Sequence, residues 1–180
     1  MVKEKHLMTE KEMDAALKEM AGTIAKDHDS VVLVGIKTRG VPLAHWLAKH
    51  LETQFHKSVL IGELDINLYR DDLSEVSSQP IVQKTEIPFK IDGVGIILVD
   101  DVLYTGRTIR SALDAIIDFG RPKFIKLAVL VDRGWRELPI QADYAGKTLK
   151  TTANQVVKVK LKECDGSNEV LLKEDFSKRA

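Results

Sequence analysis

The pattern of apolar and polar positions predicts alternating helices and strands in the first third of the chain. Thr9 followed by Glu12 is typical of a capping box, and apolar residues then repeat at helical spacing over roughly residues 10–27. Residues 31–36, VVLVGI, are a continuous apolar run, as expected for a parallel strand buried on both faces. Pro42 then lies near the first turn of a predicted helix that ends at about residue 53.

The same reading extends through the middle of the chain. Asp92-Gly93 indicates a turn, and we expect a hairpin between short strands on either side of it. The other predicted elements are strands over 58–69, 95–99 and 124–131 and a helix over 108–119.

Alternating strands and helices predict an α/β fold in which a central, mainly parallel sheet is flanked by helices. A length of 180 residues is consistent with one domain, residues 1–180. Three polar loops follow three of the predicted buried strands: residues 37–40 (KTRG), 100–108 (DDVLYTGRT) and 132–137 (DRGWRE). Because ligands bind beyond the carboxyl ends of such strands, we expect these loops to converge on one site.

Composition excludes several classes of protein. The 27 Lys and Arg balance the 27 Asp and Glu, so a nucleic-acid partner would require a local basic face. The single cysteine, Cys164, excludes an intramolecular disulfide and a multi-cysteine metal site. The first residues lack a signal-peptide core, and no apolar run reaches membrane-spanning length. We therefore expect a cytoplasmic protein without a membrane partner.

The tetrapeptide Thr105-Gly106-Arg107-Thr108 lies between a predicted strand and a predicted helix. Unpaired N–H groups and the positive end of the helix dipole would face an anion there, and Gly106 would let the backbone approach it closely. The alternative is a helix simply capped by Thr105 or Thr108.

Two adjacent carboxylates, Asp100 and Asp101, precede this turn. Ionised carboxylates only accept hydrogen bonds, which suits a diol such as ribose. Because adjacent strand residues point to opposite faces, we expect the two acids to have different roles. The alternative is a solvated strand end, but carboxylates beside an anion-binding turn favour a ribose 5-phosphate ligand.

Residues 97–109, ILVDDVLYTGRTI, closely resemble the 13-residue signature of type I phosphoribosyltransferases, which bind phosphoribosyl pyrophosphate (PRPP). The resemblance is strongest to members that use uracil and also regulate pyrimidine genes, and it covers most of residues 31–150 in order. The further matching segments are VGIKTRG (34–40), LYRDDLS (68–74), FGRP (119–122) and LAVLVDRGWRELPIQADYAGK (127–147).

The resemblance implies the type I phosphoribosyltransferase fold, with a flexible lid loop and a small hood, and the reaction of uracil with PRPP to UMP and pyrophosphate. Its implied catalytic residues are Asp100, Asp101, Arg39 and Arg70. The acids would contact the ribose hydroxyls, and the Thr-Gly-Arg-Thr turn would take the 5-phosphate. The implied PRPP- and UMP-binding residues are Lys37, Thr38, Arg39, Gly40, Asp100, Asp101, Val102, Leu103, Tyr104, Thr105, Gly106, Arg107 and Thr108.

The loop over 37–40 corresponds to the family's pyrophosphate loop, where a non-proline cis peptide is expected between Lys37 and Arg39. The alternative is an ordinary glycine turn with Arg39 solvated. Residues 70–80 correspond to the lid, with Arg70 reaching the diphosphate on closure, although a surface loop alone would look the same. Mg²⁺ would be carried largely by oxygens of PRPP and by water, without a dedicated protein metal site.

Val131, Asp132 and Arg133 resemble the place where the family contacts the base. Purine-specific relatives usually have an aspartate just before the Thr-Gly, and this chain has Tyr104. A pyrimidine fits that difference better, although Tyr104 could equally pack against the helix. A phosphoribosyltransferase for another base is the alternative.

The resemblance also implies a homo-oligomer that binds the leader mRNA of a pyrimidine (pyr) operon more tightly with UMP and so attenuates transcription. RNA-binding members carry basic and histidine side chains on the first helix, but residues 18–22 here read KEMAG. The candidate RNA-binding residues are instead Lys147, Lys150, Lys158, Lys160 and Lys162, the last three expected on one face of a strand. Lysines that protect an edge strand, in a protein that is an enzyme only, are the alternative.

Overall fold

The computed structural model describes residues 4–69 and 84–174, which form two β-sheets and four helices. The helices are α1 (Glu10–Asp27), α2 (Gly40–Phe55), α3 (Arg107–Ile117) and α4 (Lys162–Asp165). The strands are β1 (Glu4–Thr9), β2 (Val32–Ile36), β3 (Ile61–Leu64), β4 (Gly95–Leu103), β5 (Phe124–Asp132), β6 (Tyr144–Thr148), β7 (Gln155–Lys160) and β8 (Glu169–Glu174). A short 3₁₀ helix covers Asn67–Tyr69.

The larger sheet has five strands in the order β3-β2-β4-β5-β6, and each neighbouring pair is parallel. The carboxyl ends of all five strands therefore lie at one edge. The predicted mainly parallel sheet flanked by helices is confirmed.

Helices cover both faces of this sheet. Helices α1 and α2 share one apolar cluster with alternate residues of the central strands, including Leu33 and Ile97. Helix α3 packs on the opposite face, where Val34 and Leu98 belong to a second cluster. Strands buried on both faces explain why the sequence reads as continuous apolar runs there.

The smaller sheet is a three-stranded antiparallel hood in the order β1-β8-β7. Its apolar side chains, such as Met8, Val157 and Val170, join the same cluster as α1 and α2. The hood therefore packs on the helical layer at one face of the parallel sheet. None of the helices within residues 4–69 and 84–174 is long and apolar enough to cross a membrane.

Two capping predictions are confirmed at the amino ends of α1 and α2. Thr9 and Glu12 form the reciprocal capping box of α1. Helix α2 begins at Gly40, and Pro42 lies in its first turn. A Cβ added to Gly40 would lie 2.3 Å from the carbonyl oxygen of Val99, so only glycine lets this helix approach β4 so closely.

Three sequence predictions need correction. The Asp92-Gly93 turn exists, but the described residues on either side do not form a hairpin: β4 pairs with β2 and β5, and Glu86 makes only an isolated bridge to Glu63. Strand β3 is shorter than 58–69, because the chain turns into a 3₁₀ helix. Lys162 begins α4, because the chain leaves the hood strand after Lys160.

Candidate functional site

A polar cavity of about 330 Å³ lies at the carboxyl ends of β2, β3 and β4. The loop over 37–40, the segment over 65–67 and the carboxyl half of β4 line it, and Thr108 of α3 closes one side. A second cavity, of about 250 Å³, is formed by residues 102–109. Val102 and Thr108 line both cavities, so the two adjoin and form one elongated site.

Asp100 and Asp101 both line the larger cavity, because β4 extends beyond Val99 as far as Leu103. Asp100 is 7% exposed and accepts a hydrogen bond from the Asp101 N–H (2.9 Å). Asp101 accepts one from the Val102 N–H (2.8 Å). Burial raises the pKa of Asp101, although the Val102 N–H and the charge of Arg39 act in the opposite direction.

Asp65 is a third carboxylate of this cavity, which sequence reasoning did not identify as a site residue. Its Oδ1 accepts a hydrogen bond from the Asn67 N–H (2.9 Å), while its buried Oδ2 has no hydrogen-bond partner among residues 4–69 and 84–174. A buried carboxylate oxygen without a donor is costly unless a ligand or water supplies one. The polar tendency toward the end of the second predicted strand, residues 58–69, was the only sequence signal.

The Thr105–Thr108 turn leads into α3 without a side-chain cap. The N-cap residue is Gly106, whose φ of +93° is rarely accessible to other residues. The Thr105 hydroxyl accepts a 3.3 Å hydrogen bond from the Arg107 N–H rather than capping the helix as its N-cap residue. The amino terminus of α3, with its partial positive charge, therefore adjoins the smaller cavity.

The loop between β2 and α2 contains a cis peptide between Lys37 and Thr38, which confirms the expected non-proline cis bond. Lys37 donates to the carbonyl of Lys84 (2.7 Å) and forms an ion pair with Glu63 (3.1 Å). Gly40 is buried, whereas the Thr38 side chain is exposed beside the cavity.

Arg39 projects from this loop and is bound by the hood. Its Nη2 and Nε donate to the two carboxylate oxygens of Asp165, at 2.7 and 3.1 Å. The Arg39 guanidinium holds the pKa of Asp165 below its usual range, and the carboxylate raises the pKa of Arg39. Sequence reasoning missed Asp165, because 126 residues separate it from Arg39.

The proposed base-contacting residues lie at the carboxyl end of β5. Val131 is completely buried in the core, and Asp132 binds the Gly134 N–H and Arg136. Arg133 is 5% exposed, and no hydrogen-bond partner of its Nη2 occurs in the part of the chain that the structure describes. Its guanidinium lies against the ring of Tyr104, so this tyrosine contacts an arginine next to the proposed base position.

Arg136 organises the loop over 133–140, a role that sequence reasoning missed. Its guanidinium donates to Asp132 (2.5 Å) and to the carbonyls of Tyr104 (2.9 Å) and Ile140 (2.8 Å). In the same loop, the Glu137 N–H donates to the carbonyl of Thr105 (2.9 Å). The loops after β2 and β4 thus share one cavity, and the loop after β5 packs against the second of them.

The candidate RNA-binding lysines lie on both sheets, in the loop after β6 and on α4. Lys147 lies on β6, an edge strand of the parallel sheet, and Lys158 and Lys160 lie on β7, an edge strand of the hood. Lys160 is paired with Glu169 (2.9 Å), while Lys150 is exposed. Arg70 and the predicted lid over 70–80 lie outside the described residues.

Solved structures with this fold include two purine enzymes. The hypoxanthine phosphoribosyltransferase of Trypanosoma cruzi matches with a TM-score of 0.72 at 22% identity, covering 95% of this chain and 97% of that one. The hypoxanthine-guanine phosphoribosyltransferase of Bacillus anthracis matches with a TM-score of 0.71 at 18% identity, covering 97% and 99%. At these identities the likeness establishes the fold alone.

The phosphoribosyl transferase domain family matches residues 6–163. Relatives of known name include the "Bifunctional protein PyrR" of Elusimicrobium minutum, 54% identical over 94% of this chain and 96% of the relative. The protein of that name from Thermus aquaticus is 55% identical over 92% and 93% of the two chains. The one from Clostridioides difficile is 49% identical over 97% and 100%. The chain therefore belongs to the phosphoribosyltransferase family and, within it, to the PyrR proteins.

Proposed function

We propose that this protein is a uracil phosphoribosyltransferase, which joins uracil to PRPP to give UMP and pyrophosphate, and that residues 1–180 act as one domain. The observation that carries the proposal is the pair of adjoining cavities, with carboxylates in one and the amino terminus of α3 at the other. A ribose 5-phosphate unit matches that division, because its hydroxyls can donate to the carboxylates and its phosphate suits the positive amino terminus of α3.

The smaller cavity would hold the 5-phosphate. Backbone N–H groups at the start of α3, together with the hydroxyls of Thr105 and Thr108, are donors suited to phosphate oxygens. Asp100 and Asp101 would accept hydrogen bonds from the ribose hydroxyls at the junction of the two cavities. UMP shares this part of PRPP and would bind in the same place.

The loop over 37–40 would hold the diphosphate at C1. As the bond from C1 to the diphosphate breaks, positive charge develops on the ribose and negative charge on the leaving group. Arg39 and the N–H groups of the loop would stabilise the leaving group, and the carboxylates of β4 would lie beside the cationic ribose. Arg70 would add a further positive charge from the lid.

The acidic cavity is compatible with Mg²⁺ that arrives on PRPP. Three carboxylates, those of Asp65, Asp100 and Asp101, line it, and the unpartnered Oδ2 of Asp65 is a suitable acceptor for a metal-bound water. Among residues 4–69 and 84–174, no three acidic, histidine or cysteine side chains are placed so that they could hold a metal ion together. When bound, Mg²⁺ would neutralise charge on the diphosphate.

The base would lie at the end of β5, beside Asp132 and Arg133. Tyr104 takes the place of the aspartate that purine-specific relatives usually have, which supports a pyrimidine substrate. Because Val131 is completely buried, we assign base contact to its two neighbours first.

Initial rates with PRPP, Mg²⁺ and one base at a time test this function. We expect turnover with uracil, and we expect Asp101→Asn or Arg39→Ala to lower kcat/KM by about 100-fold. Lys49→Ala, at the outer surface of α2, is the matched control and should retain wild-type rates. Turnover of hypoxanthine or orotate instead of uracil would refute the substrate assignment.

A second function, binding of pyr leader mRNA that UMP strengthens, is supported by the name shared by the relatives. The exposed or partly exposed lysines at 147, 150 and 158 are candidate phosphate contacts on a homo-oligomer. A mobility-shift titration with and without UMP tests it, with steep salt dependence expected. Lys150→Ala should weaken binding and Lys90→Ala should not. Affinity no greater than for a scrambled RNA would remove this function.

A further inference from the structure

The ion pair between Arg39 and Asp165 joins the loop after β2 to the hood. Two donors of one guanidinium contact two oxygens of one carboxylate, at 2.7 and 3.1 Å. The side chains are 33% and 17% exposed, so the pair is partly shielded from water at the edge of the cavity. This is the two-pronged geometry in which arginine also binds phosphate groups.

The hood holds the Asp165 carboxylate in place independently of Arg39. The Leu161 N–H donates to Asp165 Oδ2 at 3.1 Å, and the backbone of α4 closes with a bond from the Gly166 N–H to the carbonyl of Lys162. Asp165 therefore presents a fixed anion to the loop. A ligand that needs the same face of Arg39 must replace that anion.

The other cation of the loop has an equivalent arrangement. Lys37 is paired with Glu63 of β3, which lies outside the loop as Asp165 does. Both positive side chains of the loop are thus paired with carboxylates of the protein itself. A diphosphate that binds either cation must first displace its carboxylate. Its binding free energy is therefore smaller than it would be for an unpaired cation.

We infer that Asp165 competes with the diphosphate for Arg39 and thereby sets the affinity of the site for PRPP and for the product pyrophosphate. The inference rests on the proposed function, because it requires the diphosphate to bind the loop over 37–40. Tighter binding of a ligand at one site appears mainly as slower dissociation, so a stronger contact with the diphosphate would slow the release of pyrophosphate. By weakening that contact, Asp165 allows pyrophosphate to leave more readily.

Isothermal titration of the full-length protein with magnesium pyrophosphate and with PRPP tests the inference. Asp165→Asn keeps an oxygen for the Leu161 N–H but removes the charge that pairs with Arg39. We expect both ligands to bind about two- to fivefold more tightly, as suits a partly exposed ion pair. In steady state, the inhibition constant of pyrophosphate should fall by the same factor.

Two controls isolate the pair. Glu163→Gln removes an exposed acid from the same short helix and should leave both affinities unchanged. In an Arg39→Ala background, the effect of Asp165→Asn should disappear, since the two residues act through one contact. Asp165→Ser is a second way to remove the charge, and circular dichroism of each variant shows whether the fold is retained.

The outcomes separate this inference from the proposed function. Unchanged or weaker diphosphate binding in Asp165→Asn and Asp165→Ser, with the wild type binding normally, would overturn the competition, and weaker binding would make Asp165 a residue that positions Arg39. Failure of the wild-type protein to bind either ligand would instead overturn the proposed function.

Discussion

The guanidinium of Arg133 lies over the ring of Tyr104, with its Cζ 4.0 Å from the ring centroid. Arg133 is 5% exposed, and its described hydrogen bonds are with Thr151 and the backbone. Burial lowers the pKa of Arg133 from its ordinary value. The tyrosine ring therefore supplies part of the electrostatic stabilisation that a buried cation needs.

Replacing Tyr104 tests the strength of this contact. We expect Tyr104→Leu to lower the free energy of unfolding by about 1–2 kcal/mol, because the cation loses the ring face. Tm should fall by roughly 2–8 °C for a chain of this size. Tyr104→Phe retains the ring and should stay close to wild type, and Phe119→Leu at an exposed site should do the same. Equal losses for the Leu and Phe variants at position 104 would show that the hydroxyl matters instead.

Asp101→Asn should separate stability from activity. Because burial raises the pKa of Asp101, its negative charge destabilises the folded protein at neutral pH. Removing that charge should raise Tm at pH 7 while turnover falls. Asp29→Asn, which changes an exposed carboxylate, is the control and should alter neither quantity.

The increase in Tm caused by Asp101→Asn should depend on pH and be largest where the wild-type Asp101 is charged. Below the raised pKa of Asp101 in the folded state, the wild-type side chain is protonated and uncharged, like asparagine. The Tm difference between Asp101→Asn and wild type should therefore shrink as pH falls through that pKa toward the ordinary value. A difference that grows on acidification would contradict the assignment.

Gly106 lies in the proposed phosphate-binding turn, and Gly93 is a control position with a similar backbone conformation. Both have positive φ, +93° and +69°, so alanine at either position should cost about 1–2 kcal/mol of stability. Only Gly106 shapes the turn that presents the amino terminus of α3. We expect Gly106→Ala to weaken UMP binding in calorimetry and Gly93→Ala to leave it unchanged; equal effects on UMP would argue against the phosphate site.

The Tyr144 hydroxyl connects β6 to the end of α1, far from the cavities. It lies 3.0 Å from both Asp27 Oδ2 and His28 Nε2, and burial raises its pKa, with Asp27 adding to the shift. Tyr144→Phe should cost about 1 kcal/mol in denaturant unfolding and leave kcat/KM unchanged. A loss of activity without a loss of stability would contradict this structural role.

The parallel sheet was predictable because burial on both faces leaves a strong sequence signal. Residues 31–36 are a continuous apolar run, and residues 124–131 are apolar except for Lys126; both form strands of the sheet within one residue of the predicted bounds. The end of β4 was not predictable in the same way. Asp100 and Asp101 lie in the sheet because the backbone of β4 pairs with the neighbouring strand there. Hydrophobic periodicity does not predict such backbone hydrogen bonds at polar positions.

The candidate site was predicted where residues are adjacent in sequence. The turn over 105–108 and the loop over 37–40 each carry their own local signal, and the cis peptide lies within the predicted interval. Asp165 carries none, and Asp65 carries only the polar tendency of its predicted strand, since the importance of both arises from contacts with distant segments. The hairpin predicted at Asp92-Gly93 was wrong for a related reason. Turn residues predict a bend, but they do not determine which strands pair beside it.

The close packing of Gly40 against Val99 gives the site a fixed length. The loop over 37–40 cannot come closer to the end of β4, because the backbone at Gly40 already lies against the carbonyl of Val99. The backbone therefore sets the spacing between the two places where the ligand is proposed to bind. A larger residue at position 40 would push the two segments apart and so change the spacing between the places proposed to hold the diphosphate and the ribose.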